Sequence, residues 1–309
     1  MKILSIFKLI IIFIAFYYLF TNDSFDFNQL FKKEYFENIE IFIFVAILIS
    51  STYLIGSLRW WLILKSLNYK VKFKEIIQIT YIGAFFNNVL FGAYGGDLVK
   101  GYYIYKFTNN SFRSTFTVLL DRGIGFIGLF IIGIFSFISI FGNNFDLSSY
   151  QNSISIIILF IFLLIFFFYL INKVRHKYIS LKLNKFLDSL FKYIINNKFN
   201  FLIYIFLSVI LFMIVHYGVY LISDYIFYFN IGIEKIFFLN FFTTIVNAIP
   251  LTPGGIGLGE LTFVKTNELF FLKEAYIKNL ANIIVLYRLI NLFICLPGAV
   301  IYIFQKKKL

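Results

Sequence analysis

A stretch rich in proline and glycine interrupts the apolar second half of the chain. Residues 247–260 read Asn-Ala-Ile-Pro-Leu-Thr-Pro-Gly-Gly-Ile-Gly-Leu-Gly-Glu, and apolar segments flank them on both sides. Lipid cannot satisfy the N–H and C=O groups of irregular backbone, so such backbone occurs at membrane depth only where protein buries it or a wet cavity adjoins it. A second stretch, 87–97, repeats the pattern with glycines followed by an acid. The two stretches predict paired turns inside a membrane protein.

The composition supports a membrane location. Hydrophobic residues make up 61% of the chain and charged residues only 14%, whereas about a quarter of the residues in a soluble domain are charged. A net charge of +13 would suggest nucleic acid in a soluble protein, but the basic residues cluster in short loops and at the C-terminal end. Orientation in the membrane and anionic headgroups explain that clustering better. We predict an all-α polytopic membrane protein, one domain over 1–309, without a nucleic-acid partner.

The charges of the loops predict a topology. By the positive-inside rule, the acidic segments 21–40 and 142–152 are external, and the basic segments 59–75 and 172–198 are cytoplasmic. Segment 172–198 is predicted to be an amphipathic helix on the headgroups. Full spans are predicted at 3–20, 41–58, 115–141, 153–171, 199–222 and 281–304. These six spans place both termini in the cytoplasm of a multi-pass protein of the cell membrane.

Two further apolar segments are predicted to be re-entrant hairpins. Hairpin A, about 76–113, has both ends on the cytoplasmic side, and hairpin B, about 236–279, has both ends outside. Inverted repeats with broken helices near the midplane are a common plan of transporters. The simpler alternative is eight full spans, but it would move the strongly basic segment 172–198 to the external face.

Polar residues within these segments are candidates for binding, since an ionisable group costs roughly 2.5 to 3.5 kcal/mol to insert into the hydrocarbon. The predicted substrate-binding residues are Asn87, Asp97, Lys100, Asp121, Arg122, Asn247, Glu260 and Arg288. The residues predicted to shape the hairpin tips are Gly95, Gly96, Pro250, Pro253, Gly254, Gly255 and Gly257. Proline ends the incoming arm, and glycine permits positive φ and a close approach of other backbone.

Several candidates also have a purely structural interpretation. Asp97 can cap a helix and pair with Lys100 one turn later, or the helix N-terminus and Lys100 can bind an anionic headgroup together. Glu260 can cap the outgoing helix or neutralise Arg288. Both interpretations stay open for each residue.

Other polar residues are predicted to be structural. Asp121 and Arg122 point about 100° apart on a helix, so each needs a partner on another segment. His216 is interpreted as a packed, hydrogen-bonded residue, and Cys295 as a small buried one. Arg59 and the two tryptophans after it are predicted to lie at the cytoplasmic interface. The chain has two histidines and no HExxH motif, so neither a metal site nor a cofactor is predicted.

Five short motifs occur in a recognisable order. They are Arg59-Trp60-Trp61, Phe86-Asn87-Asn88, Gly95-Gly96-Asp97 with Lys100, Asp121-Arg122-Gly123, and Pro250-Leu251-Thr252-Pro253-Gly254-Gly255-Ile256-Gly257 with Glu260. The series resembles the flippase-like membrane domain of lysylphosphatidylglycerol synthases, a domain also found in archaeal AglD-type proteins and in stand-alone UPF0104-like members. The resemblance covers nearly the whole chain. Family members often carry arginine where this chain has Lys100, and Pro-Gly where it has Phe91-Gly92.

The resemblance implies a membrane unit that moves an aminoacylated lipid while a separate soluble domain makes that lipid. A phosphatidylglycerol lysyltransferase activity is therefore a family label only, because no aminoacyltransferase domain fits within these residues. We predict a translocase of an aminoacylated phospholipid or another polar-headgroup lipid, polyprenyl-linked lipids included. Two alternatives stay open. One is a membrane-embedded transferase acting on a lipid or polyprenyl phosphate, and the other is a non-catalytic partner of a separate lipid-modifying enzyme.

Overall fold

The computed structural model describes residues 2–30, 32, 37–89, 95–141, 198–249, 251–271 and 278–306. In these ranges the secondary structure is helical, which confirms the all-α polytopic prediction. The α-helices are α1 (Lys2–Thr21), α2 (Phe27–Leu30), α3 (Ile39–Ser66), α4 (Phe73–Val89), α5 (Gly95–Thr108), α6 (Ser111–Phe141), α7 (Lys198–Leu221), α8 (Ile233–Asn247), α9 (Leu258–Phe271) and α10 (Ala281–Lys306). A π-helical turn (Ile222–Ile226) extends α7, and a 3-10 turn (Pro253–Gly255) separates α8 from α9.

Long apolar helices form the frame of the bundle. Within the described ranges, α3, α6, α7 with its π-helical turn, and α10 are each long and apolar enough to cross a membrane. They correspond to four of the predicted spans, and α1 corresponds to the span at 3–20. The predicted span 153–171, the external segment 142–152 and nearly all of the basic segment 172–198 lie outside the described residues.

Helix α3 is longer than predicted. The expected cytoplasmic segment was to begin at Arg59, but α3 continues to Ser66 and ends just before Asn68, whose φ is +63°. The residues after Arg59 are mostly apolar, so nothing in them breaks the helix. The positive charges of segment 59–75 led us to predict that the loop begins earlier in the chain than it does. As a consequence, Arg59 and Trp60 belong to a helix and are buried inside the bundle.

The two predicted hairpins are pairs of short antiparallel helices. Hairpin A consists of α4 and α5, with 17 and 14 residues, and hairpin B consists of α8 and α9, with 15 and 14 residues. At 1.5 Å per residue, even α4 is only about 25 Å long, which is less than the roughly 30 Å of a bilayer core. Over the described residues, each of these four helices is shorter than the roughly 20 residues that a full span usually needs.

The hairpins open toward opposite ends of α6. Hairpin A ends at Thr108, close to the start of α6 at Ser111. At the other end of α6, the ring of Phe141 lies 5.8 Å from that of Phe238 near the start of α8, and 6.3 Å from that of Phe270 near the end of α9. The open end of hairpin B is therefore at the far end of α6, and the closed ends of the hairpins point toward each other.

Two glycines bring the arms of hairpin A into backbone contact. A Cβ atom added at Gly96 of α5 would lie 1.8 Å from the carbonyl oxygen of Gly83 in α4. No side chain fits in that space, which is how small residues allow helices to approach closely in a membrane. Gly101, one and a half turns further along α5, has no atom within 4 Å of an added Cβ.

We expect Gly96→Ala to destabilise the protein by about 3 kcal/mol, since overpacking forces the backbone of the two arms apart. Gly101→Ala is the matched control in the same helix, and it should be neutral or stabilise by up to about 1 kcal/mol, because alanine favours the helix. Both effects are measured as melting temperatures in detergent, with size-exclusion chromatography used to quantify the folded protein after heating. Equal melting temperatures for the two variants would show that the arms do not touch at Gly96.

Candidate functional site

The turn of hairpin B adopts a backbone that favours glycine. Gly254, Gly255 and Gly257 have φ values of +56°, +76° and +81°, a region that side chains with a Cβ rarely occupy. A Cβ atom at Gly255 would lie 2.1 Å from the Oδ1 atom of Asn247. Pro253 begins the 3-10 turn, whereas the incoming arm α8 already ends at Asn247. Pro250 lies outside the described residues.

The turn of hairpin B meets the end of α4 in hairpin A. A Cβ atom at Gly254 would lie 3.7 Å from the carbonyl oxygen of Asn87 and 3.9 Å from the Cα of Asn88. The side chain of Asn88 in turn contacts Cys295 of α10. The Sγ atom of Cys295 forms a hydrogen bond of 2.9 Å with the hydroxyl group of Tyr53 in α3. Tyr53 is the fifteenth of the 28 residues of α3, so the two closed ends meet level with the middle of a long helix.

Arg288 of α10 holds the turn of hairpin B in place. Its Nη1 atom donates to the carbonyl oxygen of Gly254 at 2.5 Å, and its Nη2 atom donates to the carbonyl oxygen of Gly255 at 2.9 Å. Nη2 also donates to Oδ1 of Asn247 at 2.9 Å. One guanidinium group thus satisfies two carbonyl groups that the broken helix leaves free, which is the requirement for irregular backbone in a bilayer.

Glu260 performs both of the structural roles predicted for it. Its Oε2 atom accepts the N–H of Gly257 at 2.8 Å and so caps the start of α9. Its Oε1 atom lies 2.8 Å from Nε of Arg288, close enough for an ion pair although the N–H does not point at the oxygen. With 1% of its surface exposed, Glu260 lies beneath Arg288 and outside the wall of the cavity described below.

The first turn of α5 departs from the predicted pairing. Asp97 pairs with Arg122 of α6, and the predicted ion pair with Lys100 is wrong. The N–H of Gly96 donates to Oδ1 of Asn87 at 2.7 Å, so a side chain from the opposite arm satisfies the start of α5. The aliphatic stem of Lys100 passes over the glycine of α4 that Gly96 contacts, which directs Lys100 away from Asp97. Gly95 begins the helix.

Lys100 faces an aromatic ring. Its Nζ atom lies 5.2 Å from the centre of the Trp60 ring, within the range of a cation–π interaction. Trp60 is 1% exposed, so the ring is a buried surface for the ammonium group. Within the described ranges, Lys100 has no carboxylate partner at ion-pair distance.

Arg59 and Asp121 form a second buried pair. Nε of Arg59 donates to Oδ1 of Asp121 at 2.8 Å, and Nη1 donates to the hydroxyl of Ser208 at 2.7 Å. The three residues belong to α3, α6 and α7, so the pair ties these helices together. The prediction that Asp121 and Arg122 each need a partner on another segment is confirmed.

A cavity of about 470 Å³ lies where the closed ends of the hairpins meet. Its charged walls are Arg59, Asp97, Lys100, Asp121, Arg122 and Arg288, and its amide-bearing walls are Asn87, Asn88, Asn240, Asn247 and Asn291. Of the predicted substrate-binding residues, all except Glu260 line the cavity. Of the predicted tip residues, Gly254 lines it.

Several neutral polar residues of the cavity wall were not predicted from the sequence. Asn240 and Asn291 lie within the largely apolar helices α8 and α10, and Thr80 lies within α4. All three line the cavity. An uncharged amide in an apolar helix is itself a signal, because burying it without a hydrogen bond costs free energy.

His216 and Cys295 have the packed environments predicted for them. His216 is fully buried, its Nδ1 atom lies 2.7 Å from the carbonyl oxygen of Phe212, and its ring meets that of Phe237 at 5.3 Å. Cys295 is also fully buried. Within the part of the chain that the structure covers, no three His, Cys, Asp or Glu side chains come together as ligands for a metal ion.

Comparison with known proteins identifies the family. Residues 5–298 match the sequence profile described as the lysylphosphatidylglycerol synthase TM region. The chain belongs to this family. Over 85 residues it is 41% identical to a UPF0104 membrane protein of Pyrococcus horikoshii, and the match covers 26% of this chain and 25% of that relative. No solved structure matches. The predicted family is confirmed, and the protein is a multi-pass membrane protein.

Proposed function

We propose that the protein moves a polar-headgroup lipid across the cytoplasmic membrane. One observation carries the proposal. Two short hairpins that open toward opposite ends of the bundle meet beside a charged cavity of about 470 Å³, level with the middle of the long helices. A headgroup crossing the bilayer needs such a place, since moving a charged group through hydrocarbon without partners is very costly.

The proposal treats both hairpins as re-entrant, with both termini of the chain in the cytoplasm. Their short arms and their opposite directions support this arrangement. Broken helices that point toward the midplane from both sides are the usual framework of a transport site with alternating access. The headgroup would enter the cavity from one side and leave it on the other, while the acyl chains stay in lipid.

The pairing of the carboxylates favours movement of a lipid over transferase chemistry. A transferase needs a carboxylate that can act as a base, yet Asp97 is paired with Arg122 and Asp121 with Arg59. Both carboxylates of the cavity wall are therefore already engaged by guanidinium groups. The expected partner is accordingly a membrane phospholipid or polyprenyl-linked lipid, and a separate enzyme that modifies the lipid fits the same proposal.

Reconstitution into liposomes tests the proposal. We expect vesicles with the wild-type protein to move fluorescent phospholipid between leaflets faster than protein-free vesicles, measured by reduction of the outer-leaflet dye. Asp97→Asn should slow this movement at least about tenfold, because it removes the ion pair between Asp97 and Arg122 at the cavity wall. Asp23→Asn is the matched control, since Asp23 is exposed, its φ is +47° and asparagine tolerates that conformation. Movement no faster than in protein-free vesicles for every headgroup tried would refute the function.

A further inference from the structure

The carboxylates at the cavity are all committed to arginine. Asp97 pairs with Arg122, and Asp121 pairs with Arg59. Glu260, just behind the wall, lies 2.8 Å from Arg288. Within the described ranges the site therefore offers no free carboxylate to an ammonium group of a lipid.

The cavity has an excess of positive charge. Its wall contains four cationic and two anionic side chains. Including Glu260, which neutralises Arg288, leaves an excess of one positive charge. Lys100 is the cation that has an aromatic ring in place of a carboxylate partner. A single phosphodiester group carries one negative charge and would balance it.

Two neutral hydrogen-bonding groups in the same wall have no partner within the described residues. Asn240 of α8 is 4% exposed and Thr80 of α4 is 5% exposed. The Nδ2 atom of Asn240 and the Oγ1 atom of Thr80 make no hydrogen bond to the protein. Buried polar groups nearly always have a partner, so a ligand that reaches Thr80 on hairpin A and Asn240 on hairpin B would supply the missing hydrogen bonds. Hydroxyl groups can both donate and accept there.

We infer that the cavity accepts the anionic phosphodiester of a lipid whose headgroup carries hydroxyls, such as glycerol or a sugar, and disfavours a cationic aminoacylated headgroup. The inference rests on the proposed function and specifies its substrate class. Phosphate would lie at Lys100, and the hydroxyls would bond to Asn240 and Thr80. A lysyl ester adds ammonium groups to a site that already has excess positive charge, and like charges in a desolvated site repel.

The transport rates of four labelled lipids in reconstituted liposomes test the inference. The labelled lipids are phosphatidylglycerol, phosphatidylinositol, phosphatidylethanol, which has the same charge and no hydroxyl, and lysyl-phosphatidylglycerol. We expect phosphatidylglycerol to move at least about tenfold faster than its lysyl ester, and phosphatidylethanol to fall between them. The transport rates of phosphatidylglycerol and phosphatidylinositol show whether a glycerol headgroup or a ring-shaped polyol headgroup fits the cavity better.

Variants at two positions separate the two parts of the site. Lys100→Glu should reverse the preference toward the lysylated lipid, whereas Lys100→Arg, which keeps the charge, should retain it. Asn240→Leu should remove the preference for phosphatidylglycerol over phosphatidylethanol without changing the charge selectivity. Native mass spectrometry of purified protein with an equimolar lipid mixture gives the same ranking for any variant that folds but transports poorly.

The outcomes distinguish the inference from the proposed function. Equal movement of all four lipids, or faster movement of lysyl-phosphatidylglycerol, would overturn the inference and leave translocation in place. A preference that survives Lys100→Glu unchanged would overturn the assignment of phosphate to Lys100. Movement of none of the lipids by the wild-type protein would overturn the proposed function, and the inference with it.

Discussion

Replacing Arg288 by methionine is expected to abolish lipid movement and to lower the free energy of unfolding by about 3–5 kcal/mol, the usual cost of breaking a buried ion pair. The change leaves Glu260, which is 1% exposed, without its counter-charge. It also removes the donors to the carbonyl oxygens of Gly254 and Gly255, so the turn of hairpin B loses the contacts that fix its position.

Two further variants make this prediction specific. Arg288→Lys keeps the charge but lacks the planar guanidinium fork whose two Nη atoms reach separate acceptors, so we expect intermediate stability and slow transport. Arg113→Met is the control, because Arg113 is exposed at the start of α6. Unfolding in detergent and dye reduction in liposomes measure the two effects. Wild-type transport by Arg288→Met would show that the turn does not need this anchor.

The second large effect concerns the buried pair of Arg59 and Asp121. We expect Asp121→Asn alone to cost about 3–5 kcal/mol, since it strands the guanidinium group of Arg59 inside the bundle. The double variant Arg59→Met with Asp121→Leu should be more stable than either single one, because apolar residues of similar volume often replace a buried pair without loss. The double variant also removes the donor to Ser208, but the hydroxyl group of Ser208 still donates to the carbonyl oxygen of Tyr204 at 2.8 Å and so keeps a partner.

The double variant should nevertheless fail in transport. The double variant would then have regained stability, but its cavity would lack two charged side chains. A double-mutant cycle on unfolding, combined with transport rates for the same four proteins, measures this separation. If the double variant transported lipid at the wild-type rate, the pair would serve only to hold α3 and α6 together.

Within the described ranges the sequence predicted the long helices and the interruption in hairpin B well, since both follow from local chemistry. The turn of hairpin A, residues 90–94, lies outside the described residues. Runs of apolar residues specify the long helices, and the prolines and glycines mark where a helix stops. The contact between Glu260 and Arg288 was also predictable, because both residues lie in predicted membrane segments and buried charges seek partners.

Partner choice at hairpin A was not predictable from spacing. Asp97 and Lys100 are one turn apart and suggest a local pair, yet the rotation of α5 in the bundle directs them to Arg122 and Trp60. Arg59 was assigned to a loop because positive charge usually marks the cytoplasmic side. Its burial depends on Asp121, which is 62 residues away in the chain, and only the packed structure brings the two together.

Disulfide cross-linking between the hairpin tips tests the central claim most directly. In a Cys295→Ala background, cysteines replace Asn88 and Gly254, and a protease site is inserted between Asn109 and Asn110. A Cβ at Gly254 would lie 3.9 Å from the Cα of Asn88, within reach of a disulfide. Cysteines at positions 88 and 232 are the control, since an added Cβ at Gly232 has no atom within 4 Å.

After mild oxidation in native membranes and proteolysis, we expect the fragments of the 88/254 protein to stay joined until reductant is added, and those of the control to separate. Separation of the 88/254 fragments under oxidising conditions would contradict the meeting of the two hairpins inside the bundle.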